Sequence, residues 1–231
     1  MKQLSLDLGP VAAYGRADFF ASEANAAALA RIESWPEWRF PVLIVHGSAG
    51  AGKTHLAHIR CERAGAALVA GDALGSPQVA AMLSEGGAMA VDGADRAPEA
   101  ALLHLYNACV EMRGGLLLTS RRSATDWQPA LADLASRLRA TPAVAIDPPD
   151  DALLAAVLAK HFADRQLRVG SEVVGYLLRH MERSMAAVAA IAAALDQAAL
   201  DRHRAVTTRL AANVLDRLAA QSAADSEAGV T

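Results

Sequence analysis

The stretch with the clearest chemical meaning is a glycine-rich loop, Gly47-Ser48-Ala49-Gly50-Ala51-Gly52-Lys53-Thr54. It matches the G-x-x-x-x-G-K-[ST] pattern, in which the glycines let backbone N–H groups surround a phosphate. The Lys53 ammonium is suited to the β/γ-phosphate oxygens, and the Thr54 hydroxyl is suited to Mg²⁺. An apolar run before the loop predicts a strand, and the run from Lys53 through His55 onward predicts a helix. We therefore predict that residues 47–55 bind a nucleoside di- or triphosphate.

A carboxylate at the end of a later apolar run extends this site. Asp92 follows Ala88-Met89-Ala90-Val91 and is predicted to hold Mg²⁺ through water, although a strand-end Asp can also simply cap the next turn. Proteins that hydrolyse ATP rapidly usually carry Asp or Glu at the next position, where this chain has Gly93. Asp95 lies further along the turn and points in a different direction. Unassisted hydrolysis is therefore expected to be slow.

Two further polar features follow in the chain. Thr119 and Ser120 end another apolar run, where a hydroxyl can contact the γ-phosphate or the attacking water, or merely form a turn. Arg137 lies near the end of a predicted helix, within Leu134-Ala135-Ser136-Arg137-Leu138. It is either one half of a surface ion pair or an arginine finger that reaches a nucleotide in a neighbouring subunit.

Apolar runs and helical patterns alternate as far as residue 147. The predicted strands are 40–45, 66–70, 88–92, 116–120 and 143–146, and helices are predicted at 22–34, 53–64, 78–84, 98–112 and 131–138. Such alternation predicts an α/β domain with a five-stranded parallel sheet and helices on both faces. Ser22 is the predicted cap of the first helix.

After Pro148-Pro149 the strand pattern stops, and three or four alanine-rich helices are predicted at 151–165, 171–180, 184–200 and 207–220. The predicted organisation is an extended N-terminal tail at 1–9, a nucleotide-binding domain at 10–147, a helical lid at 148–220 and a flexible tail at 221–231.

The N-terminal tail reads Gln3-Leu4-Ser5-Leu6-Asp7-Leu8 and is separated from the rest by Gly9-Pro10. Its leucines alternate with polar residues, which is strand periodicity. The segment could pair with the main sheet. Alternatively it is a free peptide that binds a partner, with leucines for an apolar pocket.

Composition limits the possible classes of protein. The 231 residues carry a formal net charge of −3, which gives no overall positive field to attract nucleic acid. No apolar run reaches the ~18 residues of a membrane span, and no signal-peptide pattern begins the chain.

Cys61 and Cys109 have no metal-binding or redox motif around them. We expect buried thiols in a cytoplasmic protein without a membrane contact.

The order of these motifs, with helices after the sheet, resembles the AAA+ superfamily. The segments 52–56 (GKTHL), 116–120 (LLLTS) and 134–138 (LASRL) resemble the bacterial replication initiator DnaA. This resemblance covers roughly residues 17–218 and includes neither the initiator's C-terminal helix-turn-helix domain nor its N-terminal domain. With the QLSLDL tail, the chain resembles the Hda family, whose members regulate DnaA.

The Hda resemblance implies specific roles for the motifs. Residues 47–54 would hold ADP or ATP with Mg²⁺, and residues 3–8 would dock on the sliding clamp, the β subunit of DNA polymerase III. Arg137 would be presented to ATP bound by DnaA, whose hydrolysis prevents re-initiation of replication. DNA contact would be indirect, through the clamp, and a homo-oligomer is a further expected possibility.

Three departures from the initiator pattern bear on hydrolysis by the chain itself. The lid position of a sensor arginine is taken by Ala186, although Arg183 lies nearly one helical turn away and could substitute. Arg121 stands where the initiators commonly have Asp. With Gly93, these changes indicate weak or no intrinsic ATPase activity.

Two alternatives remain open at this level. One is an independent AAA+ ATPase or helicase loader acting on single-stranded DNA. The other is a module that tethers another partner to the clamp and carries a vestigial nucleotide site.

Overall fold

A computed structural model describes residues 14–75, 88–202 and 206–228. The predicted clamp-binding tail at residues 3–8 and the predicted helix at 78–84 lie outside the described residues.

The sheet confirms the predicted five parallel strands. They are β1 (Val42–Gly47), β2 (Ala67–Ala70), β3 (Met89–Asp92), β4 (Leu116–Ser120) and β5 (Ala143–Ile146). Their order is β2-β3-β4-β1-β5, and every pairing is parallel. Strand β4 therefore lies between β1, which leads into the glycine loop, and β3, which ends in Asp92.

In the described part of the chain, four helices cover the two faces of the sheet: α1 (Ala26–Glu33), α2 (Lys53–Ala64), α3 (Glu99–Glu111) and α4 (Ala132–Ala140). Alternate residues of a strand point to opposite faces. On β1, Val42 and Ile44 pack with α3 and α4, whereas Leu43 and Val45 pack with α1 and α2. The predicted layers of helices on both sides of the sheet are thus present.

The C-terminal residues form a separate helical core. Helices α5 (Asp151–Asp164), α6 (Ser171–His180), α7 (Met185–Arg202) and α8 (Thr208–Ala228) surround a third apolar cluster that includes Leu154, Leu158 and Val188. The Asp150 side chain accepts the Leu153 N–H and so caps α5. Among the described helices, none is long and apolar enough to cross a membrane.

The structure differs from the sequence predictions at the start of α1 and at the end of α8. The first helix begins at Ala26, because Asn25 organises the preceding turn: its Oδ1 accepts the Ser22 N–H at 2.9 Å and its Nδ2 donates to the Phe20 carbonyl at 3.0 Å. Helix α8 continues to Ala228, into the tail that the sequence predicted to be flexible from Gln221. Residues 221–228 contain no Gly or Pro to interrupt a helix.

Both cysteines are free and buried, as predicted. Burial raises the pKa of each thiol to about 11, so the unreactive protonated form prevails at neutral pH.

Candidate nucleotide-binding site

The glycine loop connects the end of β1 to the first residue of α2. Gly50 and Gly52 adopt φ values of 69° and 100°, in the left-handed region that favours glycine. At Gly47 a Cβ atom would lie 2.6 Å from the Ile146 carbonyl oxygen, so a larger residue does not fit beside β5. Helix α2 begins at Lys53, directly after these glycines. The dipole of the helix therefore favours an anion beside the loop.

Backbone carbonyl groups of the loop hold the Lys53 side chain against it. The ammonium donates to the carbonyl oxygens of Gly47 at 2.8 Å and Ser48 at 2.6 Å. Desolvation lowers the pKa of Lys53, and the nearby charge of Arg121 lowers it further, while Asp92 and Asp95 act in the opposite direction. Because an ammonium has three N–H donors, one donor remains for an anionic ligand.

Thr54, Asp92 and Thr119 form a hydrogen-bonded group between β3, β4 and α2. The Thr54 hydroxyl donates to Asp92 Oδ2 at 2.8 Å, and the Thr119 hydroxyl donates to Asp92 Oδ1 at 2.5 Å. Thr119 Oγ1 also accepts the Gly93 N–H at 2.8 Å. Both oxygens of the carboxylate are therefore oriented by hydroxyl groups.

This donor set fits Mg²⁺. A hydroxyl and a carboxylate are hard oxygen ligands, and Mg²⁺ commonly combines one or two such ligands with water and phosphate oxygens. The described residues contain no cluster of three or more His, Cys, Asp or Glu side chains able to hold a metal. Mg²⁺ at Thr54 and Asp92 would thus depend on the phosphates of a bound nucleotide.

A cavity of about 900 Å³ opens beside the loop, between the lid and an N-terminal segment formed by residues 14–25. Its N-terminal wall includes Phe19, Phe20 and Asn25, and its lid wall includes Leu153 and Val157 of α5. The size is within the usual range for small-molecule sites. An apolar compartment joined to a phosphate-binding loop fits the base and ribose of a nucleotide.

The lid contacts the glycine loop directly. The Met185 N–H donates to the Gly50 carbonyl at 3.0 Å, and a Cβ on Gly50 would lie 3.0 Å from Ser184 Cβ. The Ser184 hydroxyl accepts the Ala187 N–H at 3.1 Å and caps α7 at this contact. Ala186 lines the cavity, so α7 presents a methyl group there.

The N-terminal segment is joined to both domains at the rim of the cavity. His55 Nε2 donates to the Gly15 carbonyl at 3.0 Å, and its ring contacts Tyr14 and Phe19 edge-on. Desolvation lowers the pKa of His55, which favours the neutral ring. Asp18 pairs with Lys160 of the lid at 2.8 Å.

Two predicted sensor residues are engaged elsewhere. Arg183 pairs with Asp151 at 2.8 Å, its side chain is 52% exposed, and it does not line the cavity. The structure therefore does not place the Arg183 guanidinium in the cavity, where the side chain of Ala186 carries no charge. The Ser120 hydroxyl accepts the Arg122 N–H at 2.9 Å and acts as a turn former, whereas Thr119 contacts Asp92.

Arg137 lies on α4, away from the cavity. Its Nε donates to Asp133 Oδ1 at 3.1 Å, and its guanidinium lies 5.9 Å from the Tyr106 ring centroid. The side chain is 37% exposed. Among the described residues, the terminal guanidinium nitrogens have no hydrogen-bond partner, so they are available to another molecule.

The sequence did not single out the wall of the cavity. On α5, Leu153, Val157 and Lys160 lie on one helical face, but this spacing cannot be distinguished from an ordinary core stripe. The adjacent aromatic residues Phe19 and Phe20 were the one available signal on the N-terminal side.

Comparison with known proteins finds a family model that matches the lid and solved structures with a similar fold. Residues 150–220 match the family model described as the lid domain of Hda. No curated protein sequence matches the chain. Domain III of the Thermotoga maritima replication initiation protein DnaA has a similar structure, with a TM-score of 0.77 and 15% identity over 94% of this chain and 98% of that chain.

Other AAA+ structures are also similar. AMPPCP-bound DnaA from Aquifex aeolicus has a TM-score of 0.63 and 19% identity, over 74% of this chain and 61% of that chain. The Thermotoga maritima RuvB Holliday junction branch migration motor has a TM-score of 0.73 and 16% identity, over 89% of this chain and 72% of that chain. At these identities the similarity establishes the AAA+ fold.

Proposed function

We propose that this chain, an Hda-like, DnaA-related AAA+ protein, binds ADP or ATP and stimulates hydrolysis of ATP bound to DnaA. The observation that carries the proposal is the position of Arg137 on the surface of α4, outside the chain's own cavity. Because Arg137 does not line that cavity, a nucleotide that its guanidinium contacts would belong to another molecule. An arginine supplied in this way stabilises the negative charge of the phosphoryl-transfer transition state.

The chain's own site supports retention of a nucleotide better than its hydrolysis. Gly93 provides no carboxylate beside Asp92 to orient an attacking water, and it adopts a φ of 70° that suits glycine. Ala186 provides no lid cation in the cavity. When bound, Mg²⁺ at Thr54 and Asp92 neutralises phosphate charge, and Lys53 contributes a direct contact. The similarity of the fold to AMPPCP-bound DnaA from Aquifex aeolicus supports nucleotide binding by this chain.

The second part of the proposal is attachment to the sliding clamp by residues 3–8. This rests on the sequence pattern alone, in which Leu4, Leu6 and Leu8 alternate with polar residues. An extended peptide of this type adds to a sheet edge and inserts its apolar side chains into a pocket. Such docking would hold Arg137 near DnaA on clamp-loaded DNA without direct binding of DNA by this chain.

A reconstituted reaction tests the function. Clamp-loaded DNA, DnaA with labelled ATP and this protein are mixed, and the rate of ADP formation on DnaA is measured. Arg137→Ala is expected to lower the stimulated rate by about 10³-fold, as removal of an arginine finger does. Arg139→Ala, on the same helix and also exposed, is the matched control and should retain the rate. Full activity of Arg137→Ala would contradict the finger assignment.

A deletion tests attachment. Removal of residues 3–8 is expected to abolish retention of the protein on immobilised clamp while leaving nucleotide binding intact. Unchanged retention would exclude the peptide as the docking segment. If the intact protein instead turns over ATP by itself, faster with single-stranded DNA, the helicase-loader alternative is favoured.

A further inference from the structure

Tyr106 of α3 is a buried aromatic residue that lies beside Arg137 and has no part in the function proposed above. The residue is 2% exposed. The centroid of its ring lies 5.9 Å from the guanidinium carbon of Arg137, within the range of a cation–π contact. The ring therefore provides a surface for a guanidinium whose Nε is paired with Asp133.

The Tyr106 hydroxyl joins the ring to the end of α4. The Thr141 hydroxyl donates to the Arg137 carbonyl at 2.7 Å, so its oxygen accepts the Tyr106 hydroxyl at 2.9 Å. The Thr141 N–H donates to the Leu138 carbonyl at 3.1 Å. Burial raises the pKa of Tyr106, so the phenol stays protonated and able to donate at neutral pH. The ring is thus fixed relative to the backbone of Arg137.

Helix α3 also holds the start of α4. The Glu99 carboxylate, in the first turn of α3, accepts the N–H groups of Ala130 and Leu131, both at 2.8 Å. These two residues lie directly before α4, which begins at Ala132. Because α3 contacts α4 at both ends, the position of the Arg137 side chain depends on α3 as well as on its own helix.

Arg139, on the same helix, lacks the contacts that Arg137 has. It is exposed, and in the described part of the chain its guanidinium has neither an ion pair nor an aromatic ring beside it. An arginine side chain loses rotational freedom when it is fixed on a ligand. Contacts that already restrict the guanidinium lower this cost, which favours Arg137 over Arg139 as the group that acts on a phosphate.

We propose that Tyr106 positions Arg137 for the transition state of ATP hydrolysis on DnaA, its ring being the surface on which the guanidinium lies when it leaves Asp133. The proposal rests on the action of Arg137 on DnaA-bound ATP proposed above. Tyr106 is a positioning residue, because its buried ring contacts the arginine.

The reconstituted reaction with clamp-loaded DNA, DnaA and labelled ATP tests this role. The rate of ADP formation is measured over a range of concentrations of the full chain. Tyr106→Leu is expected to lower the maximal rate by about 5-fold or more, because loss of the cation–π contact also frees the guanidinium from its position. The concentration that gives half the maximal rate should change by less than about 2-fold, since residues 3–8 provide the attachment. A change in that concentration alone would overturn the positioning role.

Two variants separate the ring from its hydroxyl and from general stability. Tyr106→Phe keeps the ring and should retain at least about half of the maximal rate. Leu102→Ala is the control for stability, because Leu102 is equally buried, lies one turn earlier on α3 and leaves a cavity when truncated. It is expected to lower the midpoint of thermal unfolding but not the maximal rate below that midpoint. A fall in rate equal to that of Tyr106→Leu would overturn the proposal, because any weakening of α3 would then suffice.

A double-mutant cycle tests whether Tyr106 acts through Arg137. In the Arg137→Ala background, Tyr106→Leu should cause no further loss of rate, because the side chain that it positions is absent. A loss by the same factor in both backgrounds would overturn the proposal. The NMR signal of the Arg137 Nε–H group gives a reading without DnaA: the ring current makes it sensitive to Tyr106→Leu and nearly insensitive to Tyr106→Phe. An unchanged signal in Tyr106→Leu would overturn the contact.

The two proposals fail in different ways. A full stimulated rate in Arg137→Ala would overturn the finger assignment and, with it, the role of Tyr106. Loss of the rate in Arg137→Ala together with a full rate in Tyr106→Leu would overturn the positioning role alone.

Discussion

The nucleotide cavity and the outer surface of α4 use arginine and lysine in different ways. In the cavity, Lys53 is nearly buried and bonded to two loop carbonyls, and Lys160 is bonded to two carboxylates. On α4, Arg137 has one ion pair, with Asp133, and its side chain is 37% exposed. Under the proposed function, the chain would retain one nucleotide with pre-organised groups and keep a more accessible guanidinium for a nucleotide on another molecule.

The physical basis of this difference is desolvation. A buried cation is costly unless it is paired, and burial lowers the pKa of Lys53. A partly exposed ion pair costs little to form and little to break. Arg137 can therefore leave Asp133 for a phosphate at low cost, whereas Lys53 cannot leave the loop without exposing carbonyl groups that need a donor.

The largest effect is expected on the α4 side. Arg137→Lys keeps the positive charge but loses the planar fork that binds two phosphate oxygens together. We expect stimulated ADP formation on DnaA to fall by about 10²- to 10³-fold, close to the effect of complete removal of the finger. The measurement is the initial rate with saturating clamp-loaded DNA. Retention of more than half the rate would mean that a point charge suffices.

The next largest effect is expected on ADP binding in the cavity. Lys53→Ala removes a charged donor to phosphate and is expected to weaken ADP binding by about 10- to 100-fold. Arg137→Ala should bind ADP like the wild type, since Arg137 does not line the cavity. Fluorescence titration with a labelled ADP measures both variants. Weakened binding in Arg137→Ala would show that the two regions are coupled.

Glycine substitutions test the contact between the lid and the loop. Gly50 and Gly65 both have left-handed φ values, 69° and 59°, so alanine is strained at either position by about 1 kcal/mol. Only at Gly50 does a Cβ meet the lid, at 3.0 Å from Ser184 Cβ, while nothing lies within 4 Å at Gly65. Denaturant titration should therefore give a greater loss of unfolding free energy for Gly50→Ala than for Gly65→Ala. Equal losses would mean that the lid yields freely at this contact.

The smallest effect is expected from Asp133, the ion-pair partner of Arg137. Asp133→Asn removes an exposed i,i+4 ion pair worth about 0.3–0.5 kcal/mol. Helix stability should fall by no more than that amount, and stimulated hydrolysis should change by about 2-fold or less. The same rate assay and a thermal unfolding curve measure the two quantities. A loss near that of Arg137→Ala would assign Asp133 a necessary role in orienting the guanidinium.

Local sequence was sufficient for most of the framework. The strands begin within two residues of their predicted starts, and the end of α2 at Gly65 follows from the left-handed conformation that glycine adopts there. These features depend on residues close together in the chain or on a motif whose geometry the backbone itself imposes.

Side-chain partners were less predictable, both within a single turn and between distant segments. Ser22 was a plausible helix cap by residue type. The Asn25 side chain organises this turn instead, because it accepts the Ser22 N–H and donates to the Phe20 carbonyl. Arg183 was a plausible sensor by spacing, but Asp151 of α5 is the nearer partner for its charge. In both cases residue type allowed several contacts, and packing selected one.

The sequence by itself determined the phosphate loop, the alternation of strands and helices and the change to a helical lid after Pro148-Pro149. Each of these follows from a local periodicity or from the chemistry of adjacent residues. The tertiary structure decided which distant side chains form the cavity, that Ala186 faces it and that Arg137 does not. It also placed the end of β4 between the loop and Asp92, because alternation predicts parallel strands but strand order depends on long-range packing.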